Sequence, residues 1–469
     1  MKVLHAPPPQ LADRAPYDAE ALIEEARRRQ RHRRYVVAGA TTVVIAGLVA
    51  YISVSGTSAP PKAPAATNLT ASSPSPIVDA KAFHGHGNLA FVSRDQLYVL
   101  DGSTNKLTAV TSGTQVAGAP SFSPNGKWLA YSIGQSGAGT AHADGTSART
   151  ITTSGGSPRW MPNGELLVGT TLYRLSSSGR PAPVSSVSSG LVAWAMDGSG
   201  YAFVSRSIVN GPNGSFHGAE RLELASSLTG TRTAWRSTPI SFARATGFHG
   251  NFVNGVIVLP HHEGLLFWVD PDQSASLAAD GTHVYEVRSA GATPIDLGVT
   301  IGQTVSVGSN GMLAIGSGSN RYAWMTKTVE TCVIATARCS DVRTPAGDVT
   351  IDPAWSPNGK TLAFVEAPSS SASDFFQSTL TMWYSTHHLW LLSSGSSVPN
   401  EVQGTAGASV PVWSSNGKIL LYESVDALWL IAAPGAMPVK VASPLFRSGA
   451  WPSYYGQINW SGQFSWSAR

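Results

Sequence analysis

Between about residue 83 and residue 443 the apolar positions fall in short runs separated by turn residues. Asn88-Leu-Ala-Phe-Val, Lys127-Trp-Leu-Ala-Tyr and Lys360-Thr-Leu-Ala-Phe-Val each read as a strand apolar enough to be covered on both faces. The runs recur with their surroundings. Three segments match most closely: 120–132 (PSFSPNGKWLAYS), 353–366 (PAWSPNGKTLAFVE) and 411–424 (PVWSSNGKILLYES). Weaker copies lie at 158–171 (PRWMPNGELLVGTT) and 191–205 (LVAWAMDGSGYAFVS). Degenerate ones begin at Phe83, Phe248 and Val305. Several are followed by a second apolar strand: LYVLD at 97–101, LYRLS at 172–176, LWLLS at 389–393 and LWLIA at 428–432.

One repeat therefore predicts a strand ending in a large aromatic, a tight Ser-Pro-Asn-Gly turn, a buried strand, a third apolar strand and a polar fourth. Proline presets φ near −65°, and Asn-Gly accepts positive φ. A four-stranded sheet with two apolar faces cannot bury them alone and must stack on copies of itself. Spacings of roughly 35–60 residues match propeller blades rather than helical repeats. The fold expected is all-β, a β-propeller of about eight blades, with seven possible because boundaries in 205–300 are indistinct. The key aromatics Phe122, Trp160, Trp194, Trp355 and Trp413 are expected to pack between neighbouring blades. The C-terminal Gln457–Ala468 is expected to pair with the first blade and close the ring, since closure removes exposed sheet edges. The competing architecture is two successive β-sandwiches.

Ahead of the repeats, residues 35–54 (YVVAGATTVVIAGLVAYISV) carry no charge, and twenty helical residues span about 30 Å of hydrocarbon. Seven of the eight residues 27–34 are Arg or His, and no charge follows until Lys62. That asymmetry places the N-terminus in the cytoplasm and the rest outside. A cleavable signal peptide is the competing reading; its apolar core would be shorter than this one. The organisation expected is a basic cytoplasmic stem (1–34, partly helical), a transmembrane helix (35–54), a Pro/Ser/Ala-rich linker (55–80) and an extracytoplasmic propeller (81–469). The setting is the plasma membrane, crossed once, and composition points to a bacterium.

Composition narrows the function. Charged residues make up 13% of the 469, and of the net +4 a net +3 comes from residues 1–34, leaving +1 on the body. Such a body lacks the basic field that nucleic acid requires. The only cysteines, Cys332 and Cys339, are spaced C-x6-C, which is not zinc-finger spacing. In an oxidising compartment they would close a small disulfide loop; two free thiols are the alternative.

The pattern W-S-P-N-G-K-x-L-A-F, with its following L-W-L or L-Y-V strand, resembles the TolB-type propeller repeat, found also in the LpqB propeller and the N-terminal propeller of prolyl oligopeptidase relatives. The resemblance covers most of 83–443 and implies a fold; its motif residues are structural, so no site residue carries over. TolB proteins carry an α/β domain where this chain has the apolar segment, which puts a TolB role in doubt. A prolyl-oligopeptidase activity would need a hydrolase domain with G-x-S-x-G, and this sequence contains none.

No catalytic residue, cofactor site or metal site is assigned. The pairs His84/His86, His261/His262 and His387/His388 read as turn histidines, and Asp270-Pro-Asp272 departs from a calcium loop at Ala275 and Gly281. Lone acids at blade mouths can still meet in three dimensions. The function expected is non-enzymatic binding of a protein or envelope ligand by an ectodomain expected to be monomeric. A transmembrane sensor-regulator and a channel-centred, metal-assisted enzyme are the alternatives. Long connections at 205–220, 325–344 and 366–388 are candidate binding loops, with Phe375, Phe376, Trp383 and Tyr384 as exposed anchors.

Overall fold

The computed structural model describes residues 75–468 except 113–116, 135, 189, 245, 275–279, 326, 343–347, 372–376, 447–452, 455–456 and 459–462. The expected stem, membrane helix and most of the linker (1–74) lie outside the described residues, as do Phe375 and Phe376. Among the described residues no helix is long and apolar enough to cross a membrane.

The fold is all-β and propeller-like. Among the described residues, antiparallel strands group into eight four-stranded units. Unit 2 shows the order: Ala117–Phe122 innermost, then Trp128–Ile133, Gly137–His142 and Arg149–Thr152 outermost. Unit 3 spans Arg159–Trp160 to Pro181–Ser186, unit 4 Leu191–Trp194 to Thr233–Ala243, and unit 7 Asp348–Trp355 to Asn400–Glu401. Unit 8 spans Ala408–Trp413 to Val439–Ser443. Unit 5 spans Gly247–Val258 to Ile295–Val307 and unit 6 Ile295–Val307 to Arg338–Asp341; units 4, 5 and 6 run together as one eleven-stranded sheet, because Gly247–Val258 and Ile295–Val307 are long enough to pair in two units each. This is why no boundary is visible in the sequence there.

Unit 1 is assembled from both ends of the described chain. Phe464–Ser467 pairs with Asn88–Ser93 as its innermost strand, in the register Phe91↔Phe464 and Asn88↔Ser467. The C-terminal strand thus closes the first unit as the sequence predicts, although Gln457–Ile458 instead pairs with Ser453–Tyr454. The linker expected to reach residue 80 ends earlier: Ile77–Val78 already forms a fifth strand on unit 8, against Ser443 and Ala442.

Core clusters lie at all eight junctions between successive units among the described residues. Ala90, Val92 and Val99 of unit 1 meet Leu129 and Tyr131 of unit 2. Ala363 and Val365 of unit 7 meet Leu420 and Tyr422 of unit 8. The cluster that returns to the start packs Leu421, Leu428 and Leu430 of unit 8 against Phe83, Leu89 and Phe91 of unit 1. Alternate residues of each second strand thus serve two different interfaces, which explains why those strands are apolar throughout. Each fully buried Leu or Phe contributes roughly 1.5–3 kcal/mol to this stacking.

The turns follow from their side chains. Gly126, Gly359 and Gly417 take φ of 65°, 64° and 65°. The preceding asparagines act through their side chains instead of sharing the positive φ: Oδ1 of Asn125, Asn358 and Asn416 accepts the N–H of Lys127, Lys360 and Lys418 at 3.0–3.1 Å. The motif serine receives the N–H that opens the next strand, as in Trp128 N–H to Ser123 Oγ at 3.0 Å. These side-chain bonds add to the turns' own backbone bonds, such as Gly126 N–H to Ser123 O at 2.8 Å, and hold strand register.

Candidate functional site

In units 2, 3, 7 and 8 the innermost strand runs toward the Asn-Gly turn and the second strand returns. The opposite edge therefore carries the connections between second and third strands and the crossovers between units. Buried chemistry concentrates on that edge in units 6 to 8.

Innermost strands enter through a shared bulge. Ala119, Asp352 and Val410, each preceding a proline, sit at φ 44°, 53° and 45° where the ladder register shifts. Left-handed backbone is unfavourable for these residues, and most of all for β-branched Val410. In unit 7 the bulge carries a carboxyl group. Val410 N–H donates to Asp352 Oδ2 at 3.1 Å, yet burial still pushes this carboxyl up to about 6. Glu423, 1% exposed, lies near it; burial, with Asp426 and Asp352 adding, raises it well above the ordinary value. Its Oε1 is buried and has no hydrogen-bond partner among the described residues. Asp426 Oδ1 accepts Leu445 N–H and Phe446 N–H, both at 2.6 Å, and so fixes the chain where it leaves unit 8 for unit 1.

A second group stands between the first two strands of unit 7. Thr350 and Glu366 are register partners, and Asp348 stands two residues before Thr350 on the same strand, opposite Pro368. Burial first, then Asp348 and Glu401, push Glu366 up to about 8. Across the next ladder Glu366 faces His388, whose Nδ1 is 3.1 Å from Glu401 Oε1. On the neighbouring unit Lys327 donates to Gly318 O and Asn320 O, while Arg321 pairs with Asp280 at 2.7 Å. Burial lowers Lys327 to about 8, against the pull of Asp280.

The connection expected to offer exposed anchors folds back instead. It contains the helix Gln377–Ser385. Trp383 and Tyr384 are 6% and 2% exposed and pack with Trp324, Ala367 and Val349. Trp383 Nε1–H donates to Pro368 O at 2.9 Å, and its ring meets His387 edge-on at 4.3 Å. They are core residues because their rings pack against Trp324, which lies 5.9 Å from Trp383 between ring centroids. His387 is wholly enclosed, and burial lowers it to about 3.

The other long connections are strands as well. Residues 205–220 continue Tyr201–Asn210 and Phe216–Ala225 in unbroken register from Tyr201↔Ala225 to Asn210↔Phe216. The first strand of unit 4 reaches only Phe203 of this ladder, so Ser205–Asn210 forms an edge. Thr233–Ala243 and Gly247–Gly250 complete a four-stranded extension. In register across it lie Phe216, Phe242 and Phe248, with Phe242 and Phe248 centroids 4.8 Å apart. Ile208, Val209 and Phe248 are 44%, 58% and 36% exposed. The third long connection contains the hairpin Thr328–Val333/Arg338–Asp341, in which Cys332 and Cys339 are directly paired and joined by a disulfide.

The repeat aromatics lie between units. Trp160 Nε1–H donates to Ser121 O, Trp194 to Trp160 O and Trp413 to Ala354 O, at 2.9, 3.2 and 2.9 Å, each reaching the innermost strand of the unit before. Trp355 is buried between units 6 and 7, and Phe122 packs between 1 and 2. The histidine pairs are scattered: His84 meets Asn105, and His261 N–H donates to Asp197. Among the described residues the only place where three ligand atoms of metal-binding type converge is Glu330, Cys332 and Cys339, and the two sulfurs there bond each other.

No protein-family model matches the sequence, and no curated protein matches it. Solved structures similar to it include TolB from Acinetobacter baumannii, at 13% identity and a TM-score of 0.35, over 82% of this chain and 67% of that one. A eukaryotic initiation factor matches at 12% and 0.44, over 77% and 98%. An oligogalacturonate lyase in complex with manganese matches at 10% and 0.36, over 80% and 89%. These likenesses concern a propeller-like fold and no activity.

Proposed function

We propose that the chain is an eight-bladed, LpqB-like β-propeller held at the plasma membrane by residues 35–54. Its propeller faces outward and binds a protein partner without catalysis. The observation that carries this reading is the sheet extension of unit 4. It presents an apolar, aromatic face (Ile208, Phe216, Phe242, Phe248) beside the edge Ser205–Asn210. An edge strand offers main-chain donors and acceptors to an extended segment, and adjoining apolar side chains supply affinity. Long exposed edges are otherwise suppressed in soluble proteins. The test is a photo-crosslinker placed at Val209 in native membranes. A discrete crosslinked protein is expected, weakened at least tenfold by Phe248→Asp. No crosslink, or one indifferent to Phe248→Asp and Ile208→Asp, would remove the support.

A channel-centred enzyme is the second reading, favoured by Asp352 and Glu423. Enclosed carboxyl groups whose affinity for the proton is raised by burial suit general acid–base chemistry. Asp352→Asn separates the two readings: a binding module keeps its crosslinked partner, whereas an enzyme loses turnover of its substrate.

A further inference from the structure

The edge of unit 4 ends at a cavity. Val204 N–H donates to Gly190 O at 2.7 Å, just before the innermost strand Leu191–Trp194. Alternation along the strand turns the main-chain N–H and C=O of Arg206 and Ile208 to that same side. Among the described residues no strand covers them, and residues 206–210 are all exposed. Where the covered part stops lies a cavity of about 610 Å³. Gly190 and Val192 line it from unit 4, Arg206 from the open edge, and Val253 and Asn254 from unit 5.

Arg206 is placed to receive an anion. The wholly buried side chain of Glu220 accepts Arg206 Nε–H at 2.8 Å and Val253 N–H at 2.6 Å, which fixes one side of the guanidinium. Among the described residues its two terminal nitrogens make no hydrogen bond, and the side chain is 41% exposed. Residues 201–250 carry five Arg against two Glu, a net of +3, whereas residues 35–469 together carry +1. Charge therefore favours a negative partner at this edge. Direction follows from the ladder. A segment antiparallel to Ser205–Asn210 runs in line with Leu191–Trp194 and in the same sense, so its C-terminal end stops at Gly190, beside the cavity. A parallel segment ending there would bring its α-ammonium to Arg206, where like charges repel.

We propose that this edge binds the free C-terminus of an extended partner polypeptide, added antiparallel, with its α-carboxylate in the cavity on Arg206. Guanidinium and carboxylate match as a two-pronged pair, and main-chain bonds to Arg206 and Ile208 hold the segment. The inference rests on the protein-binding reading and specifies which part of the partner is taken.

The experiment is capture of random hexapeptides with free carboxyl ends by the immobilised full-length chain, beside the same pool amidated and an amidated pool ending in Glu. Capture from the free-acid pool is expected to exceed that from either amide at least about tenfold. Ile208→Pro removes an N–H that the folded ladder does not use, so it should abolish capture and leave the melting transition in place. Arg206→Gln combined with Glu220→Gln removes both members of the ion pair and should erase the preference for free acid. No capture, equal capture of free acid and amide, or capture that survives Ile208→Pro would overturn the proposal. Equal capture of the Glu-ended amide would assign the carboxylate to a side chain and overturn the C-terminal assignment. A partner crosslinked at Val209 through an internal segment would also overturn it while leaving the protein-binding reading standing; loss of that crosslink as well would remove both.

Discussion

At the scale of single residues, the acids of units 7 and 8 couple stability to pH with an unusual sign. Folded Glu366 keeps its proton up to about pH 8, against an ordinary 4.5. Across that window the folded chain holds a proton that the unfolded chain has lost, so stability falls as pH rises and levels off above about 8. One such group contributes a slope of at most about 1.4 kcal/mol per pH unit. Denaturant midpoints between pH 5 and pH 8.5 should therefore decline for the natural chain and decline less for Glu366→Gln; identical slopes would refute the assignment. Tryptophan edges work differently. Trp413→Phe keeps the ring but leaves Ala354 O without its donor, which should cost about 1–3 kcal/mol. Equal denaturant midpoints would show that water replaces the bond.

Among whole elements, glycines and the disulfide separate the turns that hold register from those that only connect. A Cβ on Gly359 would stand 2.6 Å from Asn310 Cβ, and the residue has φ 64°; Gly395 has φ 82° but open space around it. Gly359→Ala should cost well above the roughly 1 kcal/mol expected for strain alone at Gly395→Ala. Equal losses in a urea titration would mean that the turns of units 6 and 7 do not touch in solution. The disulfide joins two hairpin positions at a sequence separation of 7, and replacing both cysteines with serine should cost about 2–3 kcal/mol. The same scale explains what the sequence shows and hides. Repeats at 120, 353 and 411 are legible because turn chemistry and two-faced burial leave a fixed pattern. The 205–220 hairpin is not, since Ser, Arg, Asn, Gly and Glu interrupt its apolar residues and leave no regular alternation. Asp348 and Glu366 stand 18 positions apart, and only ladder register brings them together. Trp383 and Tyr384 read as exposed because nothing local announces Trp324, their partner from unit 6.

For the molecule as a whole, cohesion rests on a junction between its two ends. Every unit presents one apolar face to the unit before and one to the unit after, so a break anywhere leaves two faces uncovered. The break is prevented by Phe464–Ser467, which supplies the innermost strand of unit 1, and by Trp466, whose Nε1–H donates to His86 O at 2.7 Å. Ile77–Val78 adds a second overlap on unit 8, and Asp426 holds the crossing chain. Ending the chain at residue 460 would remove the strand while leaving the other units intact in sequence. Unit 1 would then present the open edge of Asn88–Ser93, and the cluster of Phe83, Leu89 and Phe91 would lose Phe464 and Trp466. The truncated chain should lose its single sharp melting transition and self-associate through the new edge, as unprotected strands do. Adding the peptide 461–469 in trans should partly restore the transition, because the missing strand binds its vacant place. A truncated chain that stays monodisperse with an unchanged Tm would show that the ring does not depend on its C-terminal strand, and that stacking between neighbours alone holds the units together.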